Sequence, residues 1–203
     1  DMAAHCINDV ITTRPPPLFL LDYLAAGRLD LEDVAELVSG AADVCRAAGV
    51  ALLGGETAEL PDVYPEDGLD FGATCVGIVE RERLVDGASV REGDTVVGFA
   101  SAGVHANGFT LVRRVLELED YDGDDLLAPT RLYLDETRRL RDRAGAFAHV
   151  TGGAIAGNLA RVLPDGLEAE IDWDAWERPP VFHWLARHVE ESELGRVFNL
   201  GIG

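Results

Sequence analysis

From Leu31 to Ala48 the apolar residues Val34, Leu37, Val38, Ala41, Val44, Cys45 and Ala48 recur three and four positions apart, the spacing that lines one face of an α-helix. Asp30 stands where a side-chain cap is needed, and Gly49 where a left-handed residue would end the helix. Upstream, Leu18 to Asp22 is a short apolar run suited to a buried strand; downstream, Val50 to Leu53 returns to strand. Asp70 to Glu80 alternates, with Phe71, Ala73, Cys75, Gly77 and Val79 directed one way, and predicts a long strand. Apolar residues fall on both of its faces, and one short helix can hardly cover a small sheet built on it. A homodimer formed through the first domain is therefore expected.

The polar stretch Glu80 to Asp94 carries the expected domain boundary, near Gly93, dividing an N-terminal domain 1–93 from a C-terminal domain 94–203. Beyond it the pattern predicts strand 95–100, helix 107–118, an acidic loop, helix 129–143, strand 147–150 and helix 154–163. Strand 167–172, helix 181–189 and a final strand at 198–203 follow. No repeat or low-complexity tract interrupts this order. Such alternation indicates an α/β (α+β) class, two domains with mixed sheets covered by helices.

With 203 residues, 47% of them apolar, the chain can bury the cores of one large or two small domains. No run approaches the ~18 apolar residues of a membrane-spanning helix, and nothing near the start resembles a secretory leader, so a soluble, cytoplasmic protein is expected, with no membrane partner. The chain opens at Asp1-Met2 and closes on an apolar, glycine-punctuated run, as a piece of a longer protein would. Cys6, Cys45 and Cys75 are odd in number, widely spaced and set in apolar sequence, which fits buried thiols better than disulfides or a zinc site.

Charge changes the picture more. Thirty-seven acidic residues face 17 basic ones, all Arg, for a net charge of −20. Direct nucleic-acid binding is not expected on that balance. Acidity without a single Lys fits a salt-accumulating halophile, although an acidic protein from an organism with a GC-rich genome would share it. At molar salt the Debye length falls to about 3 Å and self-repulsion is screened. Melting temperature and activity should therefore rise from dilute buffer to molar KCl; an unchanged melting temperature contradicts the halophilic reading.

Two places run from a strand through a glycine-containing loop into a helix. Ser101-Ala102-Gly103-Val104-His105-Ala106-Asn107-Gly108 lets backbone approach a ligand closely and leads into a helix start, which attracts phosphate. His149-Val150-Thr151-Gly152-Gly153-Ala154 repeats the arrangement with an imidazole and a hydroxyl added. Glycine in such turns also serves backbone freedom alone, and an isolated histidine is more often structural than catalytic. In the first half, carboxylates recur beside predicted strand ends: Asp9 after Cys6-Ile7-Asn8, Asp22 after Phe19-Leu20-Leu21, and Glu56 with Glu59 after Leu53-Gly54-Gly55. Oxygen ligands of this kind suit magnesium, which takes one or two protein carboxylates and fills its shell with water and phosphate; in so acidic a chain they also read as caps or surface acids.

Cys6 to Val10, Pro17 to Asp30 and Gly54-Gly55-Glu56-Thr57-Ala58-Glu59-Leu60-Pro61 resemble successive motifs of the aminoimidazole ribonucleotide synthetase (phosphoribosylformylglycinamidine cyclo-ligase) family. The series continues in register through Ser101 to Phe109, Leu126 to Tyr133, Ala148 to Gly153 and Phe198 to Gly203. Two departures stand out: Arg14-Pro15-Pro16-Pro17 where the family has a Gly-Ala-x-Pro-like stretch, and Ala154 where it has a third glycine. Similar proteins begin earlier, with an Asp-Gly-x-Gly-Thr-Lys segment that contributes to the ATP site, and run on past residue 203.

The resemblance implies two α/β domains, the first pairing its sheet with that of a second subunit, and ATP-dependent ring closure of formylglycinamidine ribonucleotide to 5-aminoimidazole ribonucleotide. It implies Mg2+–ATP contacts by Asp9, Asp22 and Glu56, with the Gly54 and Gly55 backbone near the nucleotide. Phosphates would be held by the loop containing Ser101, Gly103, His105, Asn107 and Gly108, and by Gly152 and Gly153. His149, with Thr151, would act on the phosphorylated intermediate. Other ATP-using enzymes of the superfamily, such as formylglycinamidine ribonucleotide synthase or selenophosphate synthetase, differ from the cyclo-ligase motifs at Glu56 to Pro61 and Asn107-Gly108-Phe109. A truncated, non-catalytic dimerisation piece is the alternative outside that class.

Overall fold

The computed structural model describes residues 1–203. They form two compact units, Asp1–Leu84 and Val85–Gly203. The segment between that division and Gly93 is held within the second unit: the Gly87 N–H donates to Gly145 O at 3.2 Å, and a side chain at Gly87 would strike Val162 O.

In the first unit, α1 (Met2–Ile11) leads to β1 (Pro17–Ala26), α2 (Leu31–Ala48), β2 (Ala51–Glu59) and β3 (Leu69–Gly77). The sheet order is β2-β1-β3, with β2 parallel and β3 antiparallel to β1. The parallel pair requires a crossover, which α2 supplies. Asp30 caps α2 by accepting from the backbone N–H groups of Glu32 and Asp33, and Gly49 ends it at φ 70°. Helix α1 packs on β3 and α2. The apolar interior joins Ala3, Ala4 and Ile7 of α1, Leu20 and Leu24 of β1, and Cys45 of α2. Leu21 and Tyr23 alternate with the buried pair and stay 41% and 43% exposed, so one sheet face is covered by helices and the other is open.

Arg14-Pro15-Pro16-Pro17 makes the turn from α1 into β1. Arg14 sits at φ 84°, Pro15 and Pro17 are buried, and Gly77 lacks room for a side chain because Pro15 and Pro16 O would lie 2.9 Å from its Cβ.

Two expectations change here. Asp9 does not follow a strand; residues 2–11 are helix, and Ala3, Ala4, Ile7, Asn8 and Ile11 form its buried stripe. Nor do Asp22 and Glu56 end strands, because β1 and β2 both run on beyond them.

The second unit contains α3 (Phe109–Leu116), α4 (Leu134–Leu140), α5 (Ala154–Ala160), α6 (Pro180–Leu185) and α7 (Glu191–Val197). Its core is built by Val104, Val112, Phe182, Trp184, Leu194 and Phe198 with their neighbours. The strands expected at 95–100, 147–150, 167–172 and 198–203 do not form a ladder. Ala100 and Ile202 make a single antiparallel bridge, Ser101 N–H donates to Gly201 O, Gly203 N–H to Phe99 O and Val150 N–H to Gly203 O. Residues 95–100, 147–150 and 198–203 are adjacent, but a ladder needs successive paired bonds; Leu200 and Gly201 turn at φ 51° and 100°, and Val97 stays 61% exposed. The only sheet is the mixed one of the first unit, and α7 occupies residues that the pattern had left without an element.

Candidate phosphate and nucleotide site

In the first unit the candidates are placed by sheet register. Asp22 lies opposite Gly55, and Tyr23 opposite Glu56. Paired residues share a face, so Asp22 points to the helix-covered side and Glu56 to the open side beside Tyr23. A bulge at Leu53 sets this register, since Leu20 pairs with Leu52 and Leu21 with Gly54. Gly55 must be glycine: its Cβ would lie 1.9 Å from Asp22 O and 2.3 Å from Asp22 Oδ1. Gly54 takes φ 130° in open space. Asp9 is on α1, with its carboxylate 3.8 Å from His5 Nε2. Hence the structure brings Asp22 together with the Gly55 backbone but puts Glu56 on the other face. Burial pushes the thiols of Cys6, Cys45 and Cys75 up, so they stay protonated; Asp22 adds to the effect at Cys45. All three are free, as buried or half-buried thiols.

In the second unit, the Ser101–Gly108 loop is drawn tight by its own groups. The Ser101 hydroxyl reaches Gly103 O at 2.9 Å and Asn199 Oδ1 at 3.1 Å. His105, at φ 60° and buried, turns back so that Nε2 accepts from the Ala102 N–H at 3.1 Å. Its ring therefore organises the loop from within. Gly103 takes φ 154°, and its Cβ would fall 1.8 Å from Asp125 O. Gly108, at φ 82°, opens α3 with no side-chain cap, leaving the first-turn N–H groups without that competitor for an anion. Asn107 is half-buried between them.

The Thr151–Gly153 turn is built around a residue that the sequence reading missed. Asn158 is buried one helical turn along α5; its amide donates to Ala154 O at 2.7 Å, and its Oδ1 accepts from Arg161 at 3.0 Å. Thr151 Oγ1 lies 3.5 Å from the same Oδ1. A polar residue four positions after Ala154 in an apolar helix was the available signal. Gly152 borders open space, and Gly153 takes φ 98°. Ala154 itself sits at φ 54°, a left-handed conformation that costs a non-glycine residue roughly 1–2 kcal/mol and that glycine would adopt freely. His149 is buried just ahead of this turn.

Comparison with known proteins adds to this geometry. Residues 1–79 match the family described as AIR synthase related protein, N-terminal domain, and residues 91–203 its C-terminal domain. The chain is 48% identical to phosphoribosylformylglycinamidine cyclo-ligase of Nitrosococcus oceani and 45% to that of Burkholderia pseudomallei, over its full length in each case. It is also 48% identical to the Synechococcus sp. cyclo-ligase. It spans 61% to 64% of the length of these relatives. Among solved structures, hydrogenase maturation protein HypE is similar over 79% of this chain and 50% of its own, with TM-score 0.61 and 19% identity. Thiamine monophosphate kinase of Aquifex aeolicus is similar over 77% of this chain and 54% of its own, with TM-score 0.51 and 21% identity. At these identities the structural likeness speaks for the fold.

Proposed function

Because the chain belongs to the AIR synthase related protein family through both its N-terminal and its C-terminal domain, we propose that it is part of an ATP-dependent cyclo-ligase that converts formylglycinamidine ribonucleotide to 5-aminoimidazole ribonucleotide. The observation that carries this reading is the match over the whole chain to proteins named phosphoribosylformylglycinamidine cyclo-ligase, at 45% to 48% identity. The ATP-bound HypE structure, at 18% identity, supports no more than a shared fold that has carried ATP elsewhere.

The chemical difficulty is the leaving group. An amide oxygen departs poorly, so the γ-phosphoryl group of ATP is transferred to it; attack by the ring-forming nitrogen then expels inorganic phosphate and closes the imidazole. ADP and phosphate are the co-products. For this the protein must position two reactants and neutralise phosphate charge. The Ser101–Gly108 loop and the Thr151–Gly153 turn hold phosphates through backbone N–H groups, and His149 delivers a proton as the intermediate forms or breaks. The open face of the β2-β1-β3 sheet, carrying Leu21 and Tyr23, is the surface through which two copies pair. No helix is long and apolar enough to cross a membrane.

Magnesium would accompany ATP and neutralise its phosphates when bound. The register does not fit Asp9, Asp22 and Glu56 to one ion, since Asp22 and Glu56 project from opposite faces. Asp22→Asn and Glu56→Gln should therefore act independently: in ATP titrations across a magnesium series, the double variant should equal the sum of the singles within about 0.5 kcal/mol. Coupling above about 1 kcal/mol would place both carboxylates on one ion.

The function itself is tested with the full-length protein in molar KCl, supplied with ATP, magnesium and formylglycinamidine ribonucleotide. One ADP should form per aminoimidazole ribonucleotide. ATP turnover that ignores this substrate but responds to selenide or thiamine phosphate would assign the protein to another branch of the superfamily.

A further inference from the structure

The segment Phe198 to Gly203 has one polar side chain, Asn199, and the function outlined above gives it no task. It is 4% exposed, yet every polar atom of its amide is used. Nδ2 donates to Gly103 O at 2.8 Å and to Val104 O at 3.1 Å. Oδ1 accepts from the Gly201 N–H at 2.9 Å and lies 3.1 Å from the Ser101 hydroxyl. Leu200 and Gly201 adopt φ 51° and 100°, folding the Gly201 N–H back towards Asn199, and Trp176 Nε1 holds Leu200 O at 2.9 Å. At the far end of the same loop, the Phe198 ring fills the space beside Gly108, 2.2 Å from where a Cβ would be.

We propose that Asn199 is a positioning residue: its amide latches the Ser101–Val104 backbone in the curve that presents the loop to a phosphate group. The proposal rests on the phosphate-holding reading of that loop. Only a primary amide offers two donors and an acceptor in one plane, which is what two carbonyls and one N–H demand here. Aspartate would face Gly103 O and Val104 O with like partial charge, and serine reaches at most one of them. A buried asparagine that merely satisfied the core would stabilise the unit without altering how the loop meets its ligand, and that difference is measurable.

The test uses the full-length protein, with Asn199→Ser as the main variant and Asn107→Asp, which puts a negative charge inside the loop, as the probe of the underlying reading. Active-site concentration is titrated so that unfolded protein does not count. Asn199→Ser should raise KM for a phosphate-bearing substrate, ATP or formylglycinamidine ribonucleotide, by 10-fold or more, with kcat changed less than about 3-fold. Asn107→Asp should also raise it. If Asn107→Asp raises KM and Asn199→Ser does not, the latch is wrong and the phosphate loop stands. If neither changes KM, the phosphate reading falls and takes the latch with it. A second measurement needs no variant: in the wild-type protein, saturating inorganic phosphate should slow amide exchange at Gly201 by 10-fold or more, since that N–H opens only when the latch does. Unchanged exchange at Gly201, with phosphate bound, overturns the proposal.

Discussion

Gly103→Ala should destabilise the second unit by about 2–6 kcal/mol, the sum of overpacking against rigid backbone and of a side chain forced into a glycine conformation. The added Cβ would stand 1.8 Å from Asp125 O and 2.8 Å from its carbonyl carbon, at φ 154°. Asp125 has no freedom to retreat. Its carboxylate accepts from Tyr121 OH at 2.7 Å and from the Val181 N–H at 2.8 Å, tying it to the start of α6. Trp173, Trp176 and Trp184 all lie in the second unit, so tryptophan fluorescence of this chain, excited beyond tyrosine absorption, reports that unit alone in a urea titration. Gly152→Ala is the control: nothing lies within 4 Å of its Cβ, and stability should move by no more than about 0.5 kcal/mol. Equal midpoints for the two variants would mean that the loop does not take the tight course against Asp125.

The second large effect concerns chemistry rather than stability. His149→Asn should lower kcat by roughly 100-fold if the imidazole transfers a proton in the transition state, while ATP affinity stays nearly unchanged. Asparagine keeps hydrogen-bonding capacity and small size, so the buried position is still filled, but it cannot carry a proton. Single-turnover kinetics with an independent ATP titration separate the two quantities. A kcat within a few-fold of wild type removes His149 from the chemistry and leaves the family membership intact.

What could be seen in the sequence was what local spacing decides. Helix α2 has the ends that Asp30 and Gly49 announced, because a cap and a left-handed terminator act within a turn of their own positions. Helix α1 is equally local, with Ala3, Ala4, Ile7 and Ile11 on one face, a spacing present in the sequence alone. Pairing across long separations was not legible. The 95–100 and 198–203 segments look like strands by composition, yet they form only the single bridge Ala100–Ile202, and no pattern within either segment says how many bonds the other will provide.

The site divides the same way. Loops that could approach phosphate were visible from their glycines, and Gly55, Gly103 and Gly108 each have a contact that excludes a side chain. That Asp22 and Glu56 face apart depends on the bulge at Leu53, one residue of register that turns every later side chain over. Asn158 and Asn199 are not legible in the same way, because a lone amide in an apolar run carries little signal without its partners, four and nearly a hundred residues away.

The central claim is that ATP is spent to turn an amide oxygen into a leaving group during ring closure, and the fate of that oxygen tests it most directly. Formylglycinamidine ribonucleotide labelled with 18O in its formyl-derived amide is incubated with ATP, magnesium and the full-length protein in molar KCl, and the phosphate released is analysed by mass spectrometry. The account predicts one labelled oxygen in the inorganic phosphate for each 5-aminoimidazole ribonucleotide formed. Aminoimidazole ribonucleotide accompanied by unlabelled phosphate, or ADP formed without any ring-closed product, would contradict it.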